Sequence, residues 1–278
     1  MAGTVTKKLL LWPWKVLPLA ARSRITGLRR SLRREPEVSQ MTITEADKFR
    51  AGTPTLTGFL ENLRDNGFSP SAIVDIGANA GEWSRTASSI FPSAQILMFD
   101  GDPENEPNLH NTVREIGSRS RYFLRLLGPE RKETVTFYRP ETGTTGSSVL
   151  PELTSFGKNA ITLSMDTLDS LIEEASLRPS LLLKLDVQGF ELEVLKGGRQ
   201  TLALSEIVIM EAALLPYNDG APLFGDVVAF MDKQGFVVFD FCGQLRRESD
   251  HALFQTDVAF VRRESNLRAP RRFWLNEP

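Results

Sequence analysis

Four short apolar segments of the sequence are predicted to form β-strands, and each of them ends at an acidic residue. These four residues are Asp75, Asp100, Asp186 and Glu211. In open α/β sheets, ligands bind beyond the carboxyl ends of the strands, so these four carboxylates are expected to face one crevice. Buried carboxylates are costly unless the donors or the cation of a ligand satisfy them. One such acid is often only a helix cap, but four in one chain indicate a ligand-binding site.

The turn between Asp75 and the next predicted helix consists of small residues, Gly77-Ala78-Asn79-Ala80-Gly81. Glycine lets the backbone turn tightly and lets a ligand approach the peptide groups. The dinucleotide fingerprint Gly-x-Gly-x-x-Gly needs a glycine where Asn79 stands, so the sequence disfavours close approach of a pyrophosphate. Asp75 and Asn79 instead offer polar groups suited to a ligand that carries an ammonium group and no phosphate.

Asp100 follows Asp75 by 25 residues, near the spacing expected for the acid that accepts hydrogen bonds from ribose hydroxyls. A cofactor that contains adenosine, carries positive charge and lacks phosphate satisfies all of these observations. S-adenosylmethionine is such a molecule. The predicted cofactor-binding residues are Asp75, Gly77, Ala78, Asn79, Gly81 and Asp100.

The elements that must position these residues alternate between helix and strand from about residue 53, which is typical of βαβ units and a largely parallel sheet. The clearest unit is an apolar strand interrupted only by Lys184, which we expect to pair with a neighbouring carboxylate, and then a helix over Phe190–Lys196. The predicted strands are Ser71–Ile76, Ala94–Phe99, Tyr122–Leu127, Glu133–Tyr138, Ile161–Met165, Leu181–Leu185, Ile207–Met210, Phe236–Phe241 and Val258–Val261.

Three ordered motifs carry a family resemblance that spans roughly residues 55–263. Val74–Ser84 resembles the first motif of FkbM-type methyltransferases, and Met98–Pro103 resembles their second motif, although Asp100 replaces the usual Glu and Gly101 the usual first Pro. Leu182–Glu191 is similar to the most distinctive stretch of the family, with Gln188 where a Glu is common. The glycine turn alone is weak evidence, whereas the ordered trio is strong.

This resemblance implies a Rossmann-like class I methyltransferase fold of the α/β class: a seven-stranded, mostly parallel sheet with helices on both faces and an antiparallel last strand. It also implies O-methyl transfer from S-adenosylmethionine to a hydroxyl of a sugar or a polyketide-like natural product. Asp186 is the first candidate for a catalytic base and Glu211 the second. Both also have structural alternatives, since Asp186 could cap the following helix and Glu211 could only orient loops.

Two other functions stay open at the level of sequence. A nicotinamide-dependent oxidoreductase would use the same kind of sheet, but Asn79 and the absence of a Tyr-x-x-x-Lys pair argue against it. A non-catalytic, partner-binding member of the fold would have no need of the cofactor residues, which are largely present here. Asp186 and Glu211 could hold Mg²⁺, but no spacing requires it, and we assign no metal site.

Composition and charge exclude further classes of protein. The chain has 278 residues, 41% of them hydrophobic, and Cys242 is its single cysteine, which excludes a disulfide framework and a multi-cysteine metal site. Residues 1–34 contain nine Lys and Arg residues and no acid, so the net charge of −2 leaves −11 on the remainder. A body this acidic is a poor match for the nucleic-acid backbone, and no nucleic-acid partner is expected.

The sequence divides into a basic N-terminal arm over 1–50, a methyltransferase domain over 51–265 and a C-terminal tail over 266–278. The arm carries Trp and Leu among its basic residues, but Pro13 and Pro18 interrupt any continuous helix. Three interpretations are open: a flexible extension, a segment that docks on an anionic membrane or a partner, or a secretory signal. We expect a flexible extension and a cytoplasmic protein.

Overall fold

The computed structural model describes residues 55–141, 145–153 and 158–270. The predicted arm over 1–50 and most of the predicted tail lie outside the described residues. The strands are β1 Ala72–Ile76, β2 Gln95–Asp100, β3 Ser120–Leu124, β4 Leu126–Leu127, β5 Lys132–Pro140, β6 Lys158–Asp166, β7 Leu181–Leu185, β8 Ser205–Ala213, β9 Phe236–Arg246 and β10 Leu253–Arg262. The α-helices are α1 Leu56–Asp65, α2 Glu82–Ile90, α3 Glu106–Ile116, α4 Leu168–Ile172, α5 Glu191–Lys196, α6 Arg199–Leu204 and α7 Phe224–Lys233.

The main sheet has seven strands in the order β3-β2-β1-β7-β8-β10-β9. Its neighbours pair in parallel except at β10, which runs antiparallel to both β8 and β9. This antiparallel pairing follows from the short connection between β9 and β10, because a hairpin joins neighbouring antiparallel strands whereas parallel strands need a long crossover. The predicted fold class is therefore confirmed, including the antiparallel last strand.

Helices cover both faces of this sheet because the central strands are apolar on both sides, as buried parallel strands are. Alternate residues of β1 point to opposite faces, so Val74 and Ile76 join one core and Ile73 joins the other. Helices α4, α5, α6 and α7 contribute to the first core, and α1, α2 and α3 contribute to the second. Among the described residues, no helix has the length and apolarity needed to span a bilayer.

A second, three-stranded sheet in the order β4-β6-β5 lies beside the main one and was not anticipated from the sequence. The predicted strand Tyr122–Leu127 is wrong as a single element, because the chain changes partner within it. Residues up to Leu124 pair with β2, whereas Leu126 and Leu127 pair with β6. Hydrophobicity alone did not signal this change, since the residues on both sides of it are apolar.

The strand predicted over Ile207–Met210 extends at both ends and runs through Glu211 to Ala213. Its extension follows from pairing with β10, which places Asp257 opposite Glu211 and Gln255 opposite Ala213. Glu211 therefore projects from within a strand and not from the loop beyond its end.

Candidate functional site

A cleft opens at the carboxyl ends of β1, β2 and β7, where the second sheet faces the main one; we call it the main cleft. Backbone and side chains of both sheets line it, and Asp100 and Asp186 are the two predicted acids among them. Asp75 and Glu211 do not line it. The other residues that matter for its chemistry are Gly77, Asn79, Asn105, Arg125, Ser147 and Gln188.

The glycine turn forms the floor of the main cleft. The amides of Gly77 and Ala78 both donate to the carbonyl of Phe99, which ties the end of β1 to the end of β2. Gly77 has a φ of +79°, and a Cβ at this position would lie 1.9 Å from the carbonyl oxygen of Asp186. Any side chain at 77 would therefore separate β1 from β7, which explains why the turn begins with glycine.

Asp100 anchors the turn from the side of β2. Its carboxylate accepts hydrogen bonds from the amide of Asn79 at 2.7 Å, the amide of Asp102 at 2.8 Å and Nδ2 of Asn105 at 3.0 Å. Burial raises the pKa of Asp100, and these three donors oppose that rise. Two carboxylate oxygens have about four lone-pair positions, so one acceptor position remains for a ligand in the main cleft.

Asp75 lies beneath the main cleft and is completely buried. Its Oδ2 accepts a hydrogen bond from the Ser84 hydroxyl of α2 at 2.6 Å, and its Oδ1 lies 3.9 Å from Nζ of Lys184. Burial raises the pKa of Asp75, while the charge of Lys184 and the Ser84 hydroxyl lower it. The position of Asp75 suits a residue that fixes the turn from behind better than one that contacts a ligand.

Lys184 links Asp75 to Asp186, as the sequence analysis expected of a buried lysine. Its Nζ lies 3.1 Å from Oδ2 of Asp186. Burial would lower the pKa of Lys184, but the carboxylates of Asp186 and Asp75 outweigh it and raise the pKa above the usual range. Lys184 is therefore a fixed positive charge under the site and not a proton donor.

The two predicted catalytic acids are joined by one amide. Nε2 of Gln188 donates to Oδ1 of Asp186 at 3.0 Å and to Oε1 of Glu211 at 3.1 Å. Gln255 of β10 also donates to Oε1 of Glu211, at 2.6 Å. The sequence showed Gln188 only as a departure from the usual Glu; its bridging role depends on contacts between distant strands.

The environments of these two acids drive their pKa values apart. Burial favours the neutral form of Asp186, but the charge of Lys184 and the amide of Gln188 outweigh it and lower the pKa. Burial raises the pKa of Glu211 well above its ordinary value, and the nearby Asp186 charge raises it further. The ionised form is therefore favoured at Asp186 and the protonated form at Glu211. Such a divided pair is typical of sites with acid–base chemistry.

The loop over 145–149 covers one side of the main cleft, and two contacts hold it there. The Ser148 hydroxyl donates to the carbonyl of Gln188 at 2.9 Å, and the Ser147 hydroxyl donates to Oδ2 of Asp102 at 3.4 Å. Arg139 of β5 forms an ion pair with the buried Asp102 carboxylate at 3.0 Å. Sequence reasoning missed Asp102 and Arg139, because the strand that carries Arg139 belongs to the unanticipated second sheet.

Sheet order, glycine turn and strand-end acids together define a class I methyltransferase. Residues 75–238 match the model of the methyltransferase FkbM domain, which is more than half of the chain. The chain therefore belongs to the FkbM methyltransferase family, and the predicted resemblance is confirmed. Membership of this family supports S-adenosylmethionine as the cofactor and argues against the nicotinamide-dependent oxidoreductase.

One curated relative is the 2-O-methyltransferase NoeI of Sinorhizobium fredii (strain NBRC 101917 / NGR234), which is 28% identical over 153 residues. The alignment covers 50% of this chain and 62% of the relative, less than two thirds of its length.

Two solved structures are similar at lower identity. Magnesium protoporphyrin IX methyltransferase (ChlM) from Synechocystis PCC 6803 with bound SAM is 12% identical, with 74% of this chain and 76% of that chain covered and a TM-score of 0.43. Precorrin-6y C5,15-methyltransferase from Geobacter metallireducens GS-15 is also 12% identical, with 74% and 86% covered and a TM-score of 0.42. The fold class follows from the sheet order of the chain itself.

Proposed function

We propose that this methyltransferase transfers the methyl group of S-adenosylmethionine to a hydroxyl of a sugar or natural-product small molecule. The observation that carries the proposal is the pair of Asp186 and Glu211, which Gln188 bridges beside the main cleft and whose pKa values are shifted in opposite directions. A hydroxyl needs an acceptor for its proton, and ionised Asp186 offers one. The similarity to the 2-O-methyltransferase NoeI supports the same type of acceptor.

The main cleft fits the cofactor in its donor set and its shape. Asp100 keeps an acceptor position for a ribose hydroxyl, and Gly77 and Asn79 of the turn line the cleft beside it. Ala78, Asn79 and Gly81 complete the turn, and Asp75 supports it from below through Ser84. S-adenosylmethionine would supply a methyl group on a positively charged sulfur, which the carboxylates of Asp100 and Asp186 in the main cleft favour.

In the proposed reaction, an acceptor oxygen forms a bond to the methyl carbon as the bond from that carbon to sulfur breaks. The acceptor loses its proton to Oδ1 or Oδ2 of Asp186, which Lys184 and Gln188 hold in place. Alignment of the acceptor along the carbon–sulfur axis contributes much of the rate, because methyl transfer is an in-line displacement.

Titration of the purified full chain with S-adenosylhomocysteine tests the cofactor site, and transfer of a labelled methyl group to hydroxyl compounds tests the reaction. We expect saturable binding, and we expect Asp186→Asn to reduce kcat by about 10²–10⁴-fold while affinity for S-adenosylhomocysteine stays within a few-fold. Glu211→Gln, which keeps a hydrogen-bond donor, should have a smaller effect. Absence of binding at millimolar ligand, or full activity of Asp186→Asn, would contradict the proposal.

The cytoplasmic location, the contact of the basic arm over 1–50 with a membrane or partner, and the division at residues 51–265 stay predictions. Binding of the full chain to vesicles with anionic lipids, compared with a chain that begins at residue 51, would test the arm.

A further inference from the structure

The turn over residues 186–190, which joins β7 to α5, has an unusual backbone. Gln188 has a φ of +56° and Gly189 a φ of +97°. Glycine adopts positive φ at little cost, whereas a residue with a Cβ is strained there. A glycine at 188 would relieve the strain, but it would lack the amide that joins Asp186 to Glu211. The turn therefore keeps a strained residue at the point where the acid pair is bridged.

Glu191 holds this turn from the side of α5. Its Oε1 accepts hydrogen bonds from the amide of Val187 at 2.9 Å and from the amide of Gly189 at 3.2 Å. The residue is completely enclosed by the protein, and burial raises the pKa of its carboxyl group to about 7. A buried carboxyl group is costly unless hydrogen bonds compensate for its lost hydration, and these two amides provide them. Glu191 therefore fixes the backbone on both sides of Gln188.

The peptide group between Gln188 and Gly189 is held at its carbonyl end as well. The carbonyl of Gln188 accepts hydrogen bonds from the Ser148 hydroxyl at 2.9 Å and from Nδ2 of Asn218 at 2.7 Å. Ser148 belongs to the loop beside the main cleft, and Asn218 lies in the segment between β8 and α7. We call Ser148, Glu191 and Asn218 the Gln188 clamp. Both lone-pair positions of the carbonyl are occupied, so the clamp fixes the orientation of this peptide group.

Asn218 is a costly residue for stability alone. It is 5% exposed, and within the part of the chain that the structure describes its Oδ1 accepts no hydrogen bond. A buried acceptor without a donor destabilises the folded state, and a leucine of similar size would avoid that cost. A leucine would not supply the hydrogen bond from Nδ2 to the carbonyl of Gln188. The asparagine is therefore explained by the position that it gives to Gln188.

The conformation of the turn decides where the side-chain amide of Gln188 points. Its Nε2 donates to Asp186 and to Glu211, and the hydrogen bond to Asp186 favours the ionised form of that carboxyl group. Asp186 lines the main cleft, where the proposed reaction needs an acceptor for a proton.

We propose that the three residues of the Gln188 clamp are positioning residues: they hold Gln188 in its left-handed conformation, and its amide thereby orients Asp186 for proton transfer from the methyl acceptor. The proposal rests on the proposed function and deepens it, because it names the residues that prepare the base.

Two measurements on the full chain test the clamp. The first is transfer of labelled methyl from S-adenosylmethionine to the hydroxyl compound that the wild type methylates. The second is the pKa of Asp186, measured by NMR of labelled aspartate carboxyl groups and assigned with Asp186→Asn. The variants are Asn218→Leu, Gln188→Gly and their combination. Asn108→Leu, the same substitution at an exposed position of α3, is the matched control.

We expect Asn218→Leu to lower kcat by about tenfold and to raise the pKa of Asp186 by about one pH unit, because loss of one hydrogen bond to a charged group has about this effect. Its urea unfolding midpoint should not fall, and its affinity for S-adenosylhomocysteine should stay close to that of the wild type. In the Gln188→Gly background, Asn218→Leu should have no further effect, because the clamp acts through the side chain of Gln188. Asn218→Leu leaves in place the charged and titratable groups that face Asp186, which are Lys184, Asp75, Glu191, Glu211 and Asp257.

Glu191 provides an independent check of the same clamp. Glu191→Gln keeps an oxygen that can accept from the amides of Val187 and Gly189, so it should keep most of kcat. Glu191→Met removes that acceptor and should lower kcat as Asn218→Leu does.

An unchanged pKa of Asp186 in Asn218→Leu would overturn the clamp. A loss of kcat that persists in the Gln188→Gly background, or that parallels a loss of stability, would also overturn it. Failure of the wild type to methylate any hydroxyl compound would refute the proposed function itself, and the pKa of Asp186 would still decide whether the clamp acts on this carboxyl group.

Discussion

Replacement of Lys184 by Met tests whether one buried cation holds the site together. Lys184 is 7% exposed and lies 3.1 Å from Asp186 and 3.9 Å from the completely buried Asp75. At an effective dielectric constant of 20, a pair at 3.1 Å has an attraction of about 5 kcal/mol. Desolvation offsets part of this in the wild type, but removal of one partner leaves the other charges buried. We therefore expect Lys184→Met to lower the free energy of unfolding by about 3–5 kcal/mol at pH 8.

The loss of stability in Lys184→Met should depend on pH, and the carboxylates that remain buried without Lys184 decide whether it grows or shrinks as the pH rises. Without Lys184, burial keeps the folded-state pKa of Asp75 above its unfolded value, so the folded state binds more protons between the two values. Stability is then present at low pH and is lost as the pH rises, by about 1.4 kcal/mol per pH unit for one such group. The difference between wild type and Lys184→Met should therefore shrink from pH 8.5 to pH 5.5.

Urea unfolding of the full chain, followed by tryptophan fluorescence at pH 5.5, 7 and 8.5, measures this difference. Lys196→Met is the matched control, because Lys196 is 46% exposed and pairs with Glu193 on the surface of α5. We expect the control to change stability by less than about 1 kcal/mol. An equal loss in both variants, or a loss in Lys184→Met that does not change with pH, would refute the role assigned to the buried cation.

Three further predictions concern single residues. Asp100→Asn should weaken binding of S-adenosylhomocysteine by about tenfold or more in calorimetry, because the new amide faces three donors; unchanged affinity would contradict the anchoring role. Gly77→Ala should lower the free energy of unfolding by at least about 2 kcal/mol in urea, because residue 77 has positive φ and the new Cβ would collide with the carbonyl of Asp186. Gly225→Ala is the control: it has open space around it and should be neutral or stabilising. Burial raises the pKa of Glu191 to about 7, so stability should fall by at most about 3 kcal/mol as the pH rises from about 4.5 to about 7. Glu191→Gln should flatten that slope, and an unchanged slope would assign it to other groups.

Much of the fold, including the glycine turn of the candidate site, could be predicted from sequence because the signals are local. The strand over 181–185 was placed at its true bounds, since an apolar segment bounded by turn residues has few alternatives. The turn after β1 could be predicted because it contains Gly77 and Gly81, which both adopt positive φ. Three motifs in order then identified the family, which the match over 75–238 confirms.

The acceptor side of the site depended on contacts between residues that are distant in sequence. No local pattern shows that Gln188 bridges Asp186 to Glu211, because the pairing of β7 with β8 brings together Asp186, directly after β7, and Glu211 in β8. The second sheet and Arg139 were missed for the same reason, since a change of pairing partner at residues 124–126 leaves the apolar pattern unchanged.

The four acids at the strand ends show which features of the site the sequence determines and which features depend on the tertiary structure. The sequence alone determined that acids stand at or near strand ends around a glycine turn, because residue type, strand period and turn chemistry are properties of the chain. Only the tertiary structure decided their separate roles: Asp75 lies beneath the turn, Asp100 anchors it, and the pKa values of Asp186 and Glu211 are shifted in opposite directions. Those roles depend on burial and on neighbouring charges, and both arise only when distant strands pack together.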